Sequence, residues 1–139
     1  MIVVDTGAIY ALLDADDRHH RAVLTCYESQ GRSWILPWAV LPEIDYLARK
    51  RLGSRVADAF AADVNDGLFN VDGNVSKDMP RAIALMRRHE KLEVGLVDAV
   101  VAAQAERHKA SAIATVDARH FRPLRLSIRP SPKLIPLDA

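Results

Sequence analysis

Residues 1–17 read MIVVDTGAIYALLDADD, and the first half of that stretch decides the architecture. Ile2–Val4 is an apolar run of β-branched residues, too short for a helix, so it reads as a buried strand. Asp5-Thr6-Gly7 breaks it, and a helical spacing follows through Ile9, Leu12 and Leu13. A buried strand that turns straight into a helix is how α/β architecture begins.

The alternation continues along the chain. Asp14, Asp16 and Asp17 form a polar break that reads as a helix-capping turn, and a second helix runs from about Asp17 to Gly31. Trp34–Leu36 is a second short strand, closed by Pro37. Pro42-Glu43 suits the first turn of a helix that continues to Gly53, with Ser54 as N-cap of the next, which stops near Gly67. Leu68–Val71 is a third strand, Asp78 with Pro80 starts a helix, and Leu96–Arg107 is a strongly apolar one. Ser111–Thr115 is a fourth strand. The tail after Phe121 holds four of the seven prolines and offers only an edge strand at Lys133–Ile135. The predicted fold is therefore α/β: one domain over residues 1–139, with a short, mostly parallel sheet of four or five strands and helices on both faces.

Composition narrows the function classes. Half of the 139 residues are hydrophobic, enough for a real core, and the formal net charge is +1. Nucleic-acid binding would have to come from local patches rather than bulk charge. The single cysteine, Cys26, makes neither a disulfide framework nor a thiolate zinc site. The N-terminus lacks a basic leader, and no apolar run reaches the ~18 uncharged residues of a membrane span. A cytoplasmic protein is expected.

The chemistry lies in carboxylates. In open α/β sheets ligands bind beyond the carboxyl ends of the strands, and Asp5 and Asp117 each follow a predicted strand. Each alone could equally be a loop or N-cap aspartate. Asp98 lies in VGLVDAVVAAQAE, residues 94–106, on a helix apolar nearly all round. A buried carboxylate costs several kcal/mol unless it is paired or binds a cation. A buried ion pair or a first-turn acid is the other account of it. Glu43, after the apolar WAVLP of residues 38–42, would alone be dipole compensation. Together the four would meet at one edge of the sheet. They could not crowd there without a positive charge, and oxygen ligands select hard cations such as Mg²⁺ or Mn²⁺. Such an ion binds phosphate and activates water, the logic of metal-dependent nucleases.

Four segments, MIVVDTGAIYALLDADD, PEIDYL, GLVDAVVAAQAE and ATVDARHF, together resemble PIN-domain proteins, above all the VapC-type toxins of bacterial toxin–antitoxin pairs. The resemblance covers nearly the whole chain. It implies the PIN fold and a Mg²⁺-dependent endoribonuclease with Asp5, Glu43, Asp98 and Asp117 as the acidic quartet. Thr6 and Thr115 match hydroxyl residues that would orient ligands. Gly7 departs from the serine or asparagine often found there. The implied partners are an RNA substrate, a VapB-type antitoxin and a second copy of the chain in a homodimer. The apolar faces of residues 39–52 and 54–65 are surfaces for such partners or simply core.

Other readings compete. A PIN relative that has lost activity and acts only by binding is the alternative function. His19 and His20, being adjacent, do not face one point of a helix and read as solvated. His120, three residues after Asp117, is a candidate RNA contact, as are Arg18 and Arg21; Arg49–Arg51 and Arg87–His89 are further basic clusters. There is no Gly-rich phosphate loop and no G-x-S-x-G elbow. The paired N-terminal acids and late lysine of a phospho-accepting receiver are also absent.

Overall fold

Ile2–Val4 forms the central strand, β1, and all three of its side chains are buried. The computed structural model describes residues 1–138, and in them four strands flank β1: β2 (Trp34–Pro37), β3 (Asn70–Asp72), β4 (Ala112–Thr115) and β5 (Lys133–Pro136). Every neighbouring pair is parallel, in the order β3-β2-β1-β4-β5. β1, β2 and β4 are buried along their whole length, so both faces of the sheet are covered, as parallel strands demand.

Seven helices do the covering: α1 (Thr6–Leu13), α2 (His20–Gln30), α3 (Val40–Arg51), α4 (Ser54–Asn65), α5 (Val75–Arg88), α6 (Leu96–Arg107) and the single turn α7 (Ala118–Phe121). α6 packs on β1 and β2, whereas α1, α2 and α3 pack against β4, β5 and β2 respectively. α6 is buried without interruption from Ala99 to Glu106, which is why its sequence shows no polar face. α5 is amphipathic and lies outside α6, its main neighbour.

The connectivity matters for function. From β1 the chain builds outward through β2 to β3, then returns across the sheet to add β4 and β5 on the other side of β1. The direction of winding therefore reverses between β1 and β4. A crevice opens at such a switch point, beyond the carboxyl ends of the two strands.

Several boundaries differ from the sequence-based expectation. β3 starts at Asn70 rather than Leu68, because the Leu68 N–H donates to Asp63 O (3.0 Å) and closes the end of α4 around Gly67, whose φ is +80°. α5 starts at Val75, capped by the Asn74 side chain, and not at Asp78. α3 begins at Val40, so Pro42 and Glu43 are its third and fourth residues. Pro42 is tolerated there because the first four helical N–H groups have no partner within the helix. Ser54 is the first residue of α4 and caps nothing; Gly53 holds the cap position at φ +99°. α2 begins at His20, and His20 is not solvated: its Nδ1 lies 2.8 Å from Ala11 O and ties α2 to α1. Gly31 is needed for space rather than for an unusual φ, since a Cβ there would meet the Tyr27 ring at 2.7 Å.

Candidate active site

Asp5 and Asp117 are carried to the switch point by β1 and β4. The ladder places Val4 beside Ala114, and the Asp5 N–H donates to Ala114 O (3.0 Å), extending the β1–β4 pairing by one bond. Asp5 caps α1: its Oδ1 accepts from the Ala8 N–H (2.9 Å). Its Oδ2 accepts from the Thr115 hydroxyl (2.6 Å), and that hydroxyl in turn accepts from the Asp117 N–H (3.1 Å). Thr115 thus links the first and last acids in one short relay. Asp117 caps α7 through the Arg119 N–H (2.9 Å).

Asp98 sits in the first turn of α6, where a carboxylate faces the positive helix end. Its Oδ2 lies 3.4 Å from His120 Nδ1, while His120 Nε2 lies 3.5 Å from Asp117 Oδ2, so the imidazole stands between two of the acids. Glu43 is exposed on the first turn of α3, within electrostatic reach of Asp98. Asp5, Asp98 and Asp117 thus stand together around Thr115 and His120, and Glu43 is linked to them through its electrostatic effect on Asp98.

The electrostatics are uneven. Asp5 is only 5% exposed, and burial pushes its carboxyl up to about 6, against the opposing hydrogen bonds from Thr115 and Ala8; the neighbouring Asp98 charge pushes the same way as burial. Asp98 is raised too, first by burial and then by Glu43 and Asp117, with His120 opposing. Asp117 goes the other way. The Arg119 guanidinium grips it with Nε at 3.0 Å and a terminal nitrogen at 2.7 Å, holding it well below the usual carboxylate range. Where one carboxylate raises another, as Asp98 raises Asp5, the site is short of positive charge.

Among the described residues no three His, Cys, Asp or Glu side chains stand in a ready metal-binding arrangement. The chemistry of the donors nonetheless fits a hard divalent cation: they are all oxygen, anionic and mutually repelling. Thr6 gives a second indication. Its hydroxyl, on the residue after Asp5, is buried and has no hydrogen-bond partner among the described residues, a need that a hydrated ion's water would satisfy.

Arg119 is the residue that sequence reasoning missed. Its position two after a helix-capping aspartate was the available signal. No side-chain hydrogen bond or ion pair joins Arg18 or Arg21 to the acids among the described residues; Arg18 Nε instead meets His19 Nε2 at 3.1 Å. At Gly7 a Cβ would come within 3.1 Å of Val116 Cγ2, so the absent side chain leaves room between α1 and the segment leading to Asp117.

Fold and cluster together define a class, and comparison with known proteins agrees. The PIN domain family profile matches residues 2–125, and the chain belongs to that family. It is similar to Ribonuclease VapC26 of Mycobacterium tuberculosis, 27% identical over 124 residues that make up 89% of this chain and 92% of that protein. Among solved structures, M. tuberculosis VapC20, described as a Sarcin-Ricin loop cleaving toxin, superposes with a TM-score of 0.80 at 24% identity, over 90% of this chain and 97% of that one. VapBC2 of Rickettsia felis, solved bound to a DNA fragment from its promoter, gives 0.70 at 16% identity, over 96% and 97%. At these identities the structural likeness speaks to the fold. No helix among the described residues is long and apolar enough to cross a membrane.

Proposed function

We propose that this chain is a divalent-metal-dependent endoribonuclease of the toxin–antitoxin kind, with Asp5, Glu43, Asp98 and Asp117 as its catalytic acids. The observation that carries the reading is the placing of Asp5 and Asp117 at the β1–β4 switch point beside Asp98, where burial and neighbouring carboxylates raise Asp5 and Asp98 and His120 stands between Asp98 and Asp117. The ribonuclease relative supplies the substrate class.

Asp5, Asp98 and Asp117 would hold the ion, Mg²⁺ or Mn²⁺, with Glu43 completing the set from α3. When bound, that ion supplies the positive charge and the water activation that phosphodiester hydrolysis needs. The chain's own residues do the rest. Thr115 fixes the Asp5 carboxylate through one oxygen while the Ala8 N–H fixes the other, so the ligand is oriented before anything binds. Thr6 offers a buried hydroxyl to a water beside Asp5. His120, half exposed between Asp98 and Asp117, is placed to meet a phosphate or to carry a proton at the rim. Water as nucleophile leaves the ribose 2′-hydroxyl free, so products carry 5′-phosphate ends.

A VapB-type antitoxin and a second copy of the chain are the proposed partners, by likeness to the VapBC complexes among the structural relatives. The test uses the purified chain with RNA in Mg²⁺, in EDTA, and as Asp5→Asn. Cleavage to 5′-phosphate ends that needs Mg²⁺ and Asp5 is the expected result. Cleavage persisting in EDTA, or 2′,3′-cyclic phosphate ends, rejects the mechanism. Tight RNA binding without any cleavage would make the chain a binding subunit.

A further inference from the structure

Outside the acid cluster, one surface gathers four arginines, three of which have no carboxylate partner among the described residues. Beyond α7 the chain runs as Leu124-Arg125-Leu126-Ser127-Ile128-Arg129, with Leu124 and Leu126 buried and Arg125, Ser127 and Arg129 turned outward. α5 presents Arg81 and Arg88, seven residues apart and so on one helical face. The two pairs of arginines frame a concavity of about 600 Å³ that also takes in Ser127 and Ser131.

The basin is built, not incidental. The Arg125 N–H donates to His89 Nε2 (3.2 Å), pinning the segment to the end of α5. A terminal nitrogen of Arg129 donates to Leu126 O and Ile128 O, both at 2.8 Å, which holds that guanidinium in place. Arg81 is paired with Glu106, whose carboxylate also accepts from the Ser127 N–H. Among the described residues, Arg88, Arg125 and Arg129 have no carboxylate partner, unlike Arg81 and Arg122. His89, buried beneath them, has its ring pushed toward the neutral form by burial and then by Arg88, Arg125 and Arg81. Positive potential therefore converges here in a protein whose net charge is only +1.

Its position relates it to the acids. Asp78 meets Gln104 and Arg107 near the end of α6, whereas Ala82 and Met86 pack with Val94, Ala99 and Val100 at its start, so α5 and α6 run antiparallel and Arg88 lies toward the end of α6 that carries Asp98. Along the chain, Asp117 and Arg125 are joined by one helical turn and three further residues, a span of ~20 Å at most. We propose that the Arg81–Arg88–Arg125–Arg129 basin is a docking site for RNA backbone phosphates, receiving the strand a few nucleotides from the bond cut at the acids. The assignment rests on the ribonuclease reading for the identity of its ligand. Forked guanidiniums and serine hydroxyls suit phosphate oxygens. An acidic peptide would want apolar anchors, and the leucines here are buried.

The test is fluorescence anisotropy with the full chain in EDTA and a labelled single-stranded RNA of about 20 nucleotides, titrated across salt. Neutralising one phosphate-binding arginine should lower the log–log salt slope by about 0.7 for a single strand. Arg88→Gln with Arg125→Gln is expected to weaken binding about tenfold and lower the slope by about 1.4, while Arg88→Lys with Arg125→Lys keeps most of the slope. An unchanged slope in the glutamine variant overturns the proposal. So does a larger change in Arg18→Gln with Arg21→Gln, or a polyglutamate peptide whose binding falls more than that of RNA. A melting temperature matching the parent shows that the variant is folded, and the lysine variant separates charge from packing. Because binding is read without metal, its outcome is independent of cleavage. A chain that binds through the basin but does not cut RNA overturns the reading of the acids alone, and one that cuts RNA with an unaltered slope overturns the basin alone.

Discussion

Asp5 is the residue on which burial and function pull hardest against each other. Its carboxyl, raised to about 6 from an ordinary 3.8, keeps its proton in the folded chain at pH values where the unfolded chain has lost it. Between about pH 4 and 6 the native state binds more protons, so this group's contribution to stability falls as pH rises through that window and then levels off. For the metal-free protein the penalty at pH 7 is about 3 kcal/mol. Asp5→Asn, which keeps the Ala8 hydrogen bond without the charge, should be more stable than the parent at pH 7 and lose that advantage near pH 4. Paired denaturation curves at the two pH values check this. Arg119 poses the opposite case. Its side chain is 88% exposed, so its grip on Asp117 is a solvent-screened surface ion pair that adds little to stability. A divalent cation entering the cluster would displace it. Arg119→Ala should tighten Mn²⁺ binding by a few-fold, read by the loss of the free-ion EPR signal, and unchanged affinity would show that the pair does not compete.

α6 shows how an element can serve core and site together. Its middle is buried against β1 and β2, its first turn offers Asp98 to the acids, and its last turn holds the outer layer. There Arg107 bridges Asp72 (2.8 Å) and the fully buried Asp78 (2.9 Å), and Asp78 also accepts from Trp38 Nε1 (2.9 Å) and Gln104 Nε2 (2.7 Å). Asp78→Ala would leave Trp38 Nε1 without its partner and Gln104 and Arg107 with one bond fewer each, and should cost about 3 kcal/mol in a urea titration, with Asp78→Asn costing less. The bounds of α6 were legible from its apolar run, because packing on a sheet buries its whole middle and leaves no polar face to confuse with a strand. Asp78 was not. On paper it was a helix-starting acid, and only the meeting of α5, α6 and β3 makes it the centre of an ion-pair network. Glu43 was placed at a helix start by Pro42, yet the helix begins at Val40, since helical entry depends on the chain leaving β2 and not on proline alone.

At the scale of the whole molecule, the site exists because the winding reverses between β1 and β4. An ion held there binds the folded chain and not the unfolded one, so Mg²⁺ at ten times its Kd should add about 1.4 kcal/mol of stability, a rise of several degrees in Tm. Asp98→Asn should abolish most of that rise, and a Tm indifferent to Mg²⁺ in the parent would remove the ion from the cluster. The alternation of short β-branched runs with helical ones was enough, from the sequence alone, for a parallel α/β sheet and for acids at strand ends, because hydrophobic period and strand burial are local properties. The order of the strands, the Thr115 relay from Asp117 to Asp5, the Arg119 grip and the arginine basin were decided only by tertiary structure. Each joins residues far apart in the chain, or depends on which way a side chain turns, and neither is written in the spacing of a single segment.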